Sequence, residues 1–224
     1  MPRHTRGFDT AAAFAHLAKR DRKLGRWMKQ IGPIAPDRRW RKPFDPVDAL
    51  ARAILYQQLS GKAAATIVGR VETAIDSNRF HCDTLGRCDD ATIRACGVSG
   101  NKLMALRDLV LRESLGEIPT LRQMSMLDND AIVAALVPIR GIGRWTVEMM
   151  LMFRLGRPDV LPVDDLGIRK GAQVVDQADS MLAPKTLIER GEIWGPYRTH
   201  ASLYLWRIAD ASTAQKTPVK RSQQ

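Results

Sequence analysis

Residues Val137–Lys170 read V-P-I-R-G-I-G-R-W-T-V-E-M-M-L-M-F-R-L-G-R-P-D-V-L-P-V-D-D-L-G-I-R-K. In order, the stretch holds a glycine hairpin (Gly141-Ile142-Gly143), an apolar helix and a carboxylate pair (Asp164-Asp165). Two glycines around one apolar residue allow positive φ and close backbone approach, and the following helix begins with N–H groups that lack intrahelical acceptors at its positive dipole end. This layout suits a grip on a backbone phosphate a short distance from a reactive carboxylate. The helix expected over Arg144–Leu155 is apolar on more than one side, with Val147, Met150 and Leu151 on one face and Trp145, Met149 and Met152 or Phe153 on another. A helix of that kind is buried. Asp164 and Asp165 open the next helix, where capping and the helix dipole favour acids for purely structural reasons, so two roles stay open.

Outward from this stretch the signals are helical throughout. Thr10 can cap one helix or two short ones carrying Phe14, Leu17, Leu24, Trp27, Met28 and Ile31, with a stop at Gly32-Pro33. The basic turn Pro36–Pro43 reads either as a solvated connector or as a phosphate contact. Asp45-Pro46 is a cap followed by proline at the first helical position, and the helix it starts should run to about Leu59. Further helices are expected over Ala63–Ile75, from Asp89-Asp90 to Gly97, over Lys102–Leu115 with Ser99 as cap, over Ala131–Val137, Leu166–Asp176, Pro184–Gly191 and Tyr197–Ala211. No run alternates with period two, so the expected class is all-α. The expected organisation is a loose basic lead over residues 1–9, a globular part over 10–211 and a disordered basic tail over 212–224.

The net charge of +11 and a pI near 10.1 favour a polyanionic partner, with nucleic acid ahead of an acidic membrane surface. No window approaches the roughly 18 uninterrupted apolar residues of a membrane span, so a soluble intracellular protein is expected, cytoplasmic and nucleoid-associated in a bacterium or nuclear in a eukaryote. Cys82, Cys88 and Cys96 contain no C-x-x-C pair, and His4, His16, His81 and His200 share no ligand spacing. Free thiols and no side-chain metal site are therefore expected. Gln57, Gln58 and Leu59 interrupt an apolar helix just before Gly61-Lys62, the make-up of a plug for a duplex or of an ordinary exposed helix end. Trp145, Met149 and Trp206 are either core or a stacking surface for an extruded base.

Five segments together resemble the helix-hairpin-helix DNA glycosylases, and among them the 3-methyladenine DNA glycosylase II type. They are A-I-L-Y-Q-Q-L-S-G-K-A-A (53–64), G-V-S-G-N-K (97–102), I-R-G-I-G-R-W-T-V-E-M (139–149), D-V-L-P-V-D-D-L-G-I-R-K (159–170) and W-G-P-Y-R-T-H-A-S-L-Y-L-W-R (194–207). The resemblance spans about Phe14 to Ile208. It implies a two-lobed helical fold with the active-site cleft between lobes, minor-groove binding of damaged double-stranded DNA and extrusion of an alkylated base. By the same resemblance Asp165 is the catalytic aspartate, and Gly141, Ile142, Gly143 and Thr146 form the phosphate clamp. Trp145, Met149 and Trp206 then line the base pocket, and Gln57, Gln58 and Leu59 wedge the duplex, with Gln58 foremost. Relatives with lyase activity carry a lysine directly after G-x-G-R, where this chain has Trp145, so hydrolysis without lyase activity is implied. The resemblance also implies a monovalent cation, Na⁺ or K⁺, on the carbonyls of Val137, Ile139 and Ile142. No cysteine cluster follows the last helix, which excludes the iron–sulfur branch. A monomer is expected. A non-catalytic helix-hairpin-helix DNA-binding protein would share the charge and the hairpin without needing Asp165, and a glycosylase for other lesions is a further alternative.

Overall fold

A computed structural model describes residues 4–216. Among them every regular element is helical. The α-helices are α1 (Thr10–Arg20), α2 (Arg22–Ile31), α3 (Pro46–Tyr56), α4 (Gly61–Ala74), α5 (Asp90–Ala95), α6 (Gly100–Ser114), α7 (Leu121–Met124), α8 (Asn129–Leu136), α9 (Arg144–Phe153), α10 (Leu166–Asp176), α11 (Pro184–Gly191) and α12 (Arg198–Lys216). Short 3₁₀ turns lie at Arg38–Arg41, Leu85–Arg87 and Glu192–Trp194. No helix among the described residues is long and apolar enough to cross a membrane.

The chain forms two compact units. Of the described residues, one unit is built on Lys42–Val147 with residues 4–5; the other takes Arg6–Arg41 and residues 148–216. In the first, α3 packs on α4 and α6, and Leu50, Ile54 and Leu55 of α3 with Leu106 and Leu109 of α6 are all essentially inaccessible. Arg52 ties this packing together, donating to Asp48, Glu72 and the Asn78 carbonyl.

In the second unit Leu17, Leu24, Met28, Ile168, Trp194, Tyr204, Leu205 and Ile208 form the core. Its tightest contact joins α10 to α12. A Cβ placed on Gly171 would lie 2.1 Å from the Leu205 carbonyl oxygen and 2.6 Å from its carbon, so the two backbones touch where only hydrogen fits. A polar knot holds α2 to α10, α11 and the turn after α11. Asp21, 4 % exposed, accepts from the Lys23 and Leu24 amides at 3.0 Å each, from Trp194 Nε1 at 2.8 Å and from Arg190 Nη2 at 2.6 Å, while Arg190 Nε donates to Asp176 at 2.9 Å.

Five features differ from the sequence reading. Asp9, not Thr10, caps α1. Helix α3 stops at Tyr56 because Gln57 is extended and Gln58 adopts φ +55°, which no helix continues. Helix α7 went unread; a reciprocal capping box between Thr120 and Gln123 nucleates it, and four residues show no period. The lead is not loose over residues 4–9, since Arg6 donates to the Arg154 carbonyl and Phe8 packs on Trp40. Helix α12 continues past Ala211 to Lys216; the rest of the expected tail, 217–224, and residues 1–3 of the lead lie outside the described residues.

Two outcomes check this packing. Gly171→Ala should lower unfolding stability by about 2–3 kcal/mol through overpacking, whereas Gly69→Ala on the exposed face of α4, where a Cβ meets nothing within 4 Å, should raise it by roughly 0.5–1 kcal/mol. Burial pushes the Asp21 carboxyl up, but the hydrogen bonds from Trp194, Leu24 and Arg190 together carry it below the ordinary carboxylate range. A depressed folded value stabilises fully above the unfolded value, near 4, and that contribution is lost as pH falls through the folded one. Denaturant unfolding of wild type and Asp21→Asn should therefore show a stability gap at neutral pH that narrows in acid; a gap independent of pH would contradict the assignment.

Candidate active site

Asp165 is the N-cap of α10. Its φ/ψ of −70°/119° is extended, and Oδ1 accepts from the Ile168 amide at 2.9 Å. The same oxygen accepts from Trp206 Nε1 on α12 at 2.8 Å. The close α10–α12 contact makes this second bond possible. A Cβ on Gly167 would lie 2.8 Å from Trp206 Cδ1 and 3.1 Å from Asp165 Oδ1, so glycine here leaves room for the indole beside the carboxylate. Two donors on one oxygen fix the direction of the side chain. Asp164, by contrast, is exposed and caps nothing.

Trp206 is also one half of an aromatic pair. Phe153, the last residue of α9, lies nearly parallel to it, with ring centroids 6.0 Å apart and planes 20° from one another. Trp145, Met149 and Phe153 recur at four-residue steps and so share one stripe of α9. Trp145 is 49 % exposed and Met149 is half-buried. Phe153 was not among the sequence-predicted pocket residues, although its spacing from Met149 was available as a signal.

The hairpin belongs to the other unit. Gly141 adopts φ +77°, a conformation that strains any residue with a side chain, and Ile142 inserts into the interior at 3 % exposure. The Ile142 amide closes the turn on the Ile139 carbonyl at 3.0 Å, and the Gly143 carbonyl accepts from Thr146 and Val147 at the start of α9. Gly143 is exposed, and a Cβ there would meet nothing within 4 Å, so a backbone phosphate has open access to this turn. Two side chains hold the hairpin. Asp108 of α6 accepts the Arg140 amide at 2.7 Å, and Gln57 Nε2 donates to the Gly141 carbonyl at 2.7 Å.

That bond separates the three expected wedge residues. Gln57 has its amide committed to the hairpin, whereas Gln58, held at φ +55°, and Leu59, 38 % exposed, project from the α3–α4 turn. A positive φ in a non-glycine residue is a strain the rest of the turn must sustain. Lys102 Nζ, whose burial lowers its proton affinity, donates to the Leu55 carbonyl at 2.7 Å and so closes the end of α3 just before this turn. No cluster of histidine, cysteine and acidic side chains suited to a metal ion occurs among the described residues.

The chain has clear relatives. It is 35 % identical over 206 residues to DNA-3-methyladenine glycosylase 1 of Schizosaccharomyces pombe, an overlap covering 92 % of this chain and 90 % of that protein. Its structure matches that of the S. pombe 3-methyladenine DNA glycosylase in complex with abasic DNA with a TM-score of 0.77 at 34 % identity, over 92 % of this chain and 100 % of that one. It also matches a DNA-3-methyladenine glycosidase from Bacillus halodurans with a TM-score of 0.80 at 32 % identity, over 96 % and 95 % of the two chains. The family described as HhH-GPD superfamily base excision DNA repair protein matches residues 51–196. With a hairpin, an aspartate capping the helix that follows it and these likenesses in one chain, the protein belongs to the HhH-GPD superfamily of base excision DNA repair proteins.

Proposed function

We propose that the lesions removed by this base-excision DNA glycosylase are alkylated purines in double-stranded DNA, N3-methyladenine foremost and N7-methylguanine beside it, and that Asp165 carries the chemistry. The observation that supports this most is the Trp206–Asp165 hydrogen bond at 2.8 Å, which couples an aromatic pair suited to a base with a carboxylate suited to a sugar. Alkylation at these ring nitrogens leaves the base cationic, so a π face attracts it and it departs without a general acid. The C1′–N bond breaks with its electron pair going to the base. The sugar is left oxocarbenium-like, and a carboxylate beside it offsets that charge. Water then adds its oxygen to C1′ and gives up a proton, for which Asp165 is the nearby acceptor.

The remaining roles follow from the same reading. The Gly141-Ile142-Gly143 turn and Thr146 hold a phosphate without reading sequence, Gln58 and Leu59 fill the space left by the extruded base, and Trp145 and Met149 extend the surface that meets it. Trp145 in the position after G-I-G-R leaves no amine there for a Schiff base, in keeping with a hydrolase that lacks lyase activity. The carbonyls of Val137, Ile139 and Ile142 would hold a Na⁺ or K⁺ ion. These are uncharged oxygen donors, which suit a hard monovalent ion, although the Ile139 oxygen already accepts the Ile142 amide. A single copy of the chain suffices for this chemistry.

Release of free base from methylated duplex DNA tests the reading. Wild type should liberate 3-methyladenine, Asp165→Asn should be slower by about 10²–10³-fold, and both should bind the duplex alike. Trp206→Phe keeps an aromatic face but removes the five-membered ring with its N–H donor, so the single-turnover rate should fall by at least roughly tenfold with little change in duplex affinity. Base release by Asp165→Asn at the wild-type rate would exclude the aspartate from the chemistry.

A further inference from the structure

The basic turn after α2 is fastened to the end of α9 on both sides of Phe153. Trp40, 5 % exposed, donates Nε1 to the Met152 carbonyl at 2.8 Å. Arg6 donates to the Arg154 carbonyl from Nε at 3.0 Å and from Nη2 at 2.7 Å, and Nη2 also reaches the Arg39 carbonyl at 3.1 Å. Between these two anchored carbonyls the guanidinium of Arg39 lies over the Phe153 ring, with Cζ 4.4 Å from the centroid. It does not lie there as a bare cation. Arg39 Nε is 3.0 Å from both Asp37 oxygens, Nη2 is 2.6 Å from Oδ2, and the Arg39 amide donates to Oδ1 at 2.8 Å. These bonds from Arg39 hold the Asp37 carboxyl below the ordinary carboxylate range, and the charge of Arg154 acts on it in the same direction.

We infer that the Asp37–Arg39 ion pair is a specificity-determining support of the base-binding surface, whose net charge sets how well a cationic base is tolerated on Phe153 and Trp206. The inference rests on the glycosylase reading above, because it needs a base against this aromatic pair. A ring face that already carries one guanidinium opposes a second cation, and Arg6 and Arg154 stand close by with the same sign. Asp37 cancels the charge of Arg39 while its two-pronged grip holds the guanidinium over the ring. The pair is partly solvated, with the Arg39 side chain 47 % exposed, so it contributes little to stability as an ion pair. Its consequence is for charge beside the aromatic wall.

The test is a charge series read as single-turnover release of 7-methylguanine and 3-methyladenine from methylated duplex DNA. Asp37→Asn leaves the pair at +1 and should slow release roughly three- to thirtyfold. Arg39→Gln leaves it at −1 and should release at or above the wild-type rate. The double variant is neutral and should return to within about threefold of wild type, since the rate follows the charge of the pair and not the number of substitutions. A double variant as slow as Asp37→Asn, or an Asp37→Asn variant equal to wild type, overturns the inference and leaves the activity standing. Absence of any release by wild type overturns the activity itself.

Discussion

The backbone of α10 rests directly on the backbone of α12, and most of what the second unit does follows from that contact. Gly171 meets the Leu205 carbonyl with no space for a methyl group, and Gly167, one turn earlier, leaves room for the Trp206 indole. Were the helices separated by ordinary side chains, their axes would stand at the usual distance of roughly 8–10 Å, and an indole on one would not meet a cap on the other in this way. Glycine inside a helix costs stability, which the core of Ile168, Tyr204, Leu205 and Ile208 offsets by burial. The return is positional. The cap of α10 becomes a carboxylate with two donors on one oxygen, beside an aromatic pair.

The candidate groups are drawn from both units. One presents a turn whose amides and open backbone suit a phosphate, braced by Gln57 and Asp108; the other presents Asp165, Trp206 and Phe153, with Trp40 and Arg6 bonded to the carbonyls on either side of Phe153. In both, a candidate group is steadied by side chains that bond the backbone beside it. Gln57 and Gln58 state the point within two adjacent residues: one is spent on the hairpin, the other stands out from the turn in a strained conformation.

Much of the fold was legible because its helix ends are chemically marked. Asp165 and Pro184 fixed the bounds of α10 and α11, and Asp45-Pro46 fixed the start of α3. What was not legible fell into two kinds. Four-residue α7 has no period to detect, and the positive φ of Gln58 that ends α3 is imposed by the turn, not by glutamine. The other kind is pairing across sequence. Trp206 and Asp165 were each visible as candidates, and the structure brings them to 2.8 Å; but nothing local in R-R-W-R announces that Arg39 lies on Phe153, and nothing local marks Gly167 and Gly171 as the places where α12 comes close. Local chemistry marks elements, whereas a site also depends on which distant residues share a surface.

The central claim is that Asp165, aimed by Trp206, faces the sugar of an extruded nucleotide. The most direct measurement is a crystal structure of the protein with duplex DNA carrying a cationic pyrrolidine in place of the damaged nucleoside, a stand-in for the charge at C1′ in the transition state. The account predicts the pyrrolidine nitrogen within hydrogen-bonding distance of the Asp165 carboxylate, with the Trp206 Nε1–Asp165 Oδ1 bond retained and the base-side space bounded by Phe153 and Trp206. A nitrogen held instead by Asp164 or by another group, with Asp165 turned away and still serving only as the cap of α10, would contradict it.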